Sequence, residues 1–274
     1  MSIIKKLGGE TAIYGIPSIV GRFINFLLVF FFAKYFTPEL LAPQIEFYAY
    51  AAFFFVLLPH GMETAFFNFS REEESYKNVF TTALLSVAGV SSVFLVLLLV
   101  FREQVGEFTG YPNNLSYVIW FALILSIDAA KSLPYALLRY LHKAKKFAFV
   151  KSFGIALNVG LNIFFIVWYP DLTNTEANIE FVFISNLIAS LSEMVLLSPS
   201  ILKHRGVATK ELWQRMIRYS WPLVILGFAG MVNETFDRVA LKHLLPTDKA
   251  AFEIGIYGTF YRLSMLMTIF IQAF

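Results

Sequence analysis

Residues 121–138 read FALILSIDAAKSLPYALL, an apolar run with Asp128 and Lys131 at its centre. The run is close to the ~20 residues that a membrane-spanning helix requires. A charge at mid-bilayer costs about 2.5–3.5 kcal/mol on insertion scales, so it normally faces a partner or a wet cavity. Composition decides the solvent. Of 274 residues 58% are hydrophobic and only 15% charged, with a mean hydropathy of +0.65, too little polar surface to cover the core of a soluble domain.

The pattern of that run recurs along the chain. Eight candidate spans lie near 10–33, 44–69, 78–101, 115–138, 148–169, 179–202, 215–241 and 252–274. The expected fold is all-α, a polytopic transmembrane helix bundle. The polar breaks between spans are too short to fold as separate domains, so function belongs among the helices. The blocks are continuous and far longer than the roughly ten alternating residues of a barrel strand, which excludes a transmembrane β-barrel. The opening MSIIKK has the basic start of a signal peptide. The apolar block behind it is too long for an h-region and lacks a small-residue cleavage site, so the first helix is expected to be retained. The last block reaches Phe274 without a polar flank, and further sequence is expected beyond it. With no cysteine, a disulfide framework and a thiolate metal site are excluded.

Lysine and arginine set the orientation. The N-terminal side of the expected topology holds 14 of them and the opposite side 4, so the positive-inside rule places the N-terminus in the cytoplasm. The net charge of +3 and pI near 8.9 then reflect inner-leaflet contacts rather than a nucleic-acid surface. The EEE of 72–74 reads as a solvated loop.

Two helix starts repeat. Tyr14-Gly-Ile-Pro17 is matched by Tyr219-Ser-Trp-Pro222 at an offset of 205, and Glu46-Phe-Tyr-Ala-Tyr50 by Glu253-Ile-Gly-Ile-Tyr257 at 207. The seventh and eighth spans thus read as opening a second copy of the first and second, and an even number of spans per copy makes the repeat parallel. AIYGIPSIVGRFINFLLVFFFAKYF at the start, GMETAFFNFSREEE, and NETFDRVALKHLLP followed by IGIYGTFYRLSMLMTIFIQAF carry a family likeness. They resemble the polysaccharide-biosynthesis (oligosaccharide flippase) branch of the multidrug/oligosaccharidyl-lipid/polysaccharide exporter superfamily. The resemblance implies an N-terminal six-helix lobe over 1–205, then the first two helices of a second lobe over 206–274. It further implies alternating access around a cavity lined by spans 1, 2, 7 and 8, in a multi-pass protein of the bacterial cytoplasmic membrane. The implied cargo is an undecaprenyl-diphosphate-linked oligosaccharide for surface polysaccharide, O-antigen or capsule. The implied partners are the lipid bilayer and a polymerase or glycosyltransferases of the same pathway.

The charges inside the spans are the candidate site residues. Arg22, with Asn25 on the same face of the first span, and Arg262 in the eighth have no acid within a helical turn. They are expected to face the cavity, where guanidinium forks can bind a diphosphate; the competing reading pairs either with Glu63 of the second span. Asp128 and Lys131 share a face of the fourth span and have two readings. In one they form a neutralised pair that ties the helix to a neighbour, with Lys131 snorkelling past Pro134. In the other Asp128 binds the H⁺ or Na⁺ that drives transport. Glu234 and Arg238 are spaced to pair within the seventh span, leaving Asp237 to gate the outer side. Prolines 17, 59, 134 and 222 are expected to kink four spans, and Asn158 and Asn162 to bond between helices.

Enzymatic chemistry has little support. The four histidines are scattered, and no Gly-rich phosphate loop, nucleophile elbow or D-x-D pair is present. No catalytic residue, metal site or organic cofactor is therefore expected. Two other readings stand beside the flippase: a cation-coupled multidrug exporter of the same fold, and a membrane-bound glycosyl or acyl transferase.

Overall fold

The computed structural model describes residues 19–21, 23, 24, 27, 28, 30–72, 75–173, 178–246 and 249–261, without the side chains of 72, 171, 172, 233–235 and 238. The described residues are 88% helical, and no strand occurs among them. Five helices there are long and apolar enough to cross a membrane: Pro38–Arg71, Tyr76–Val100, Leu115–Tyr140, Ala144–Trp168 and Glu180–Lys203. This is the architecture of a multi-pass membrane protein. The expected spans 10–33 and 252–274 lie largely outside the described residues. Lys210–Leu244 is one continuous helix of 35 residues but is not among the five. Its uncharged stretch, 219–233, is shorter than the ~20 residues a span needs.

Where the spans end follows from local chemistry. The first long helix runs from Pro38 to Leu57, and a second from Met62 to Glu72. Between them Pro59 offers no N–H, and His60 and Gly61 take φ values of 35° and 72°. Glycine suits the second of these for two reasons. It meets no penalty at positive φ, and a Cβ there would lie 2.9 Å from the Cβ of Ser220. Of the prolines expected to kink spans, Pro59 coincides with this break, whereas helices continue through Pro134 and Pro222. Pro17 lies outside the described residues. The break expected over REQVGEFTGYPNN contains a short helix, Arg102–Thr109, because its first residues are good helix formers. Gly106 and Thr109 are its buried face. In the Ala144–Trp168 span, the last turn, Phe164–Trp168, widens to a π-helix.

The chain falls into two compact units. One comprises 1–50, 144–189 and 235–274, the other 51–143 and 190–234. In the first, Phe47 meets Phe183 edge-on with ring centres 6.2 Å apart, and the Asn186 amide donates to the Tyr48 hydroxyl. Phe165 stacks on Phe181 at 4.9 Å. The second unit is built around Leu115–Tyr140, where 72% of the apolar window is buried, against 17% for Tyr76–Val100. Small and apolar residues allow that approach: Ala122, Ala129, Leu133, Ala136 and Leu137 are all buried. Ser126 donates to the Ser91 carbonyl at 3.1 Å, so even its polar side chains are spent on neighbouring helices. The helix that carries the two mid-span charges is therefore the most buried of the five.

Candidate functional site

The site grows from that central helix. Asp128 and Lys131, three residues apart, face one another across a turn, and Nζ of Lys131 lies 2.7 Å from Oδ1 of Asp128. A third charge, absent from the sequence reading, completes the group. Glu193 projects from the middle of Glu180–Lys203, and its Oε2 lies 2.6 Å from the same Nζ. That contact is an ion pair rather than a well-aligned hydrogen bond. Ser190, one turn before Glu193, accepts from Lys131 at 3.0 Å and donates to Oδ1 of Asp128 at 2.6 Å. The ammonium thus lies within 3.0 Å of three oxygens. Tyr135, a turn beyond Lys131, interacts with both carboxylates.

All three charged side chains are withdrawn from solvent: 10% of Lys131, 18% of Asp128 and 6% of Glu193 is exposed. One correction follows: Lys131 does not snorkel past Pro134 but turns inward to Glu193 and Ser190. Asp128 and Lys131 do pair and are tied to the neighbouring helix through Ser190, and Glu193 joins them as a second carboxyl group. With every group ionised, one lysine faces two carboxylates, and the cluster carries a net charge of −1.

The cluster differs from the other ion pairs of the chain. Glu63 accepts from Arg139, whose guanidinium lies over the Phe67 ring at 5.5 Å; both side chains are 38% exposed. Glu63 is thereby committed to an arginine that the sequence reading did not consider for it. Asp237 accepts from the Tyr257 hydroxyl. Lys242 pairs with the buried Glu46 at 2.9 Å, a second contact not anticipated. Arg22, Asn25 and Arg262 lie outside the described residues, as do the side chains of Glu234 and Arg238. The expected bond between helices at Asn158 and Asn162 is instead local: the Asn162 amide donates to the carbonyl and side chain of Asn158 on its own helix. One turn apart on one face, the two amides reach each other before any neighbour.

Glu193 could have been found. It sits in LIASLSEMVLLS, an apolar run in which it is the one charge, the same signal that drew attention to Asp128. Its partner, by contrast, lies 62 residues earlier. Among the described residues no three His, Cys, Asp or Glu side chains converge as a metal site. Family models, curated proteins and solved structures contain no match to the chain.

Proposed function

We propose that this protein is an ion-coupled transporter that flips diphosphate-linked oligosaccharides across the bacterial cytoplasmic membrane by alternating access. In this reading eight spans, with the N-terminus cytoplasmic, form a first lobe over 1–205 and open a second over 206–274. The observation that carries the transport reading is the surplus carboxylate at the centre of the Asp128–Lys131–Glu193 cluster. A bundle that needed only to be stable would do as well with apolar residues there, since buried ion pairs often contribute nothing over a packed isostere. A negative cluster inside the membrane instead gives H⁺ or Na⁺ a reason to bind, and an ion that binds one conformation better than another shifts the equilibrium between them. The occupation of Glu63 by Arg139 supports the cavity role of Arg22 and Arg262, since it removes the acid considered as their partner.

The test uses the full-length gene in a strain lacking its own copy, with variants matched for membrane level. Glu193→Gln is expected to stop export of surface polymer and let the lipid-linked intermediate accumulate. Arg22→Glu and Arg262→Glu are expected to do the same through repulsion of the diphosphate, while lysine at either position retains part of the activity. Normal export by Glu193→Gln would remove ion coupling from this cluster. Normal export by both glutamate variants would reject a cationic cavity and favour the cation-coupled drug exporter, a reading that the net negative cluster also suits.

A further inference from the structure

A groove of about 670 Å³ lies on the second unit, along the Tyr76–Val100 helix and beneath the linker that precedes Lys210–Leu244. Its floor is Thr82, Leu85, Gly89 and Val93, and its mouth is formed by Lys210 and Trp213. From Thr82 to Val93 a helix rises about 16 Å, roughly half of the ~30 Å hydrocarbon thickness of a bilayer. The groove is therefore one leaflet deep. The space above Gly89 is open, since a Cβ there would have no atom within 4 Å.

The mouth is built. Backbone N–H groups of Gly206 and Val207 donate to the side chains of Thr81 and Asn78, each at 2.8 Å. The linker passes so close that a Cβ on Gly206 would lie 2.4 Å from the Lys77 carbonyl carbon, so only glycine fits. Trp213 is fixed as well. Its indole N–H donates to Ser86 Oγ at 2.9 Å, and Ser86 lies 2.9 Å from Nε2 of His60. With the ring neutral, Nδ1–H donates to the Leu58 carbonyl at 2.8 Å and Nε2 accepts from Ser86, which gives every hydrogen of the chain a partner.

We propose that this groove is a binding site for an anionic phospholipid of the leaflet on the basic side, with one acyl chain along Leu85–Val93 and its phosphate at Lys210. Charge complementarity selects the occupant. Residues 203–218 carry five basic side chains and one acid, Glu211, a net charge of +4 for the segment, and of these Lys210 lines the groove. Trp213, held by its polar edge with 41% of its surface exposed, has the amphipathic placement of an interfacial tryptophan. The inference does not depend on the cargo proposed above.

The test reads binding and not transport. In a protein with Trp120, Trp168 and Trp221 replaced by Phe, Trp213 is the remaining tryptophan. This protein is reconstituted in phosphatidylcholine vesicles containing a minor fraction of brominated-acyl phosphatidylglycerol or, separately, brominated-acyl phosphatidylcholine. Trp213 should be quenched more effectively by the anionic lipid, with a preference of about fivefold, the worth of one lysine at a membrane surface. Lys210→Gln and Lys210→Glu should reduce that preference to parity or below. Gly89→Leu, which grows into open space, should reduce quenching by both lipids while helix content is unchanged. Equal quenching by the two lipids in the parent protein would overturn the anionic site. Unchanged quenching in Gly89→Leu would overturn the groove, and quenching by neither lipid would mean that protein covers it.

Discussion

Lys131 and Arg139 lie about two turns apart on one helix, and each holds a carboxylate from a neighbouring helix, Glu193 and Glu63 respectively. Their surroundings differ. Arg139 and Glu63 are 38% exposed, balanced one to one, and lie against the Phe67 ring, whereas Lys131 is 10% exposed and answers to two acids. The same chemistry therefore has two meanings. At the helix end, water and salt screen the pair and little energy is at stake. At mid-helix there is little water to take over when a partner is lost, and each charge depends on the others. Position along the helix, rather than residue type, decides how far each pair depends on its partner.

The largest effect that would sharpen this contrast comes from Lys131→Leu. It leaves Asp128 and Glu193 buried and facing each other, and should cost about 3–5 kcal/mol, the loss seen when one partner of a buried pair is removed. Thermal unfolding in detergent measures it, and a variant as stable as the parent would show that water reaches the cluster. Adding Asp128→Leu and Glu193→Leu to Lys131→Leu should recover most of that stability, because no charge is then stranded.

Glu193→Gln comes next. It removes the surplus charge while the amide oxygen can still accept from Lys131, so stability should move by no more than about 1.5 kcal/mol. Loss of export with the fold intact would separate the functional role of the cluster from its structural one. A large loss of stability would merge them.

The smallest effect belongs to the helix end. Arg139→Ala should cost about 1 kcal/mol or less, part of it from the Phe67 contact. Raising salt should narrow its difference from the parent while leaving the Lys131→Leu difference almost unchanged. If Arg139→Ala proved as damaging as Lys131→Leu, exposure would not be what distinguishes the two pairs.

Hydropathy makes several helices legible in the sequence to within a few residues. The run expected at 115–138 is the helix Leu115–Tyr140, and that expected at 179–202 is Glu180–Lys203. The reason is that a spanning segment must satisfy its backbone internally, so a long apolar block admits one conformation. At Pro59 the expected kink is a break, whereas the same expectation at Pro134 and Pro222 meets continuous helices. Asp128 and Lys131 also stood out, because a charge in such a block is costly wherever its partner is.

The sequence by itself determined the solvent, the helical class and which helix carries an expensive charge, all consequences of composition and of spacing within a few turns. It did not determine what neutralises that charge. Glu193, Ser190, Asp128 and Lys131 meet because two helices pack at one register. The pairing of Arg139 with Glu63 arises in the same way, across 76 residues of chain. Such contacts depend on which faces meet once the apolar surfaces have been buried, a choice that helical periodicity narrows but does not make. Tertiary structure alone turned an apparent pair into a cluster of one lysine and two carboxyl groups.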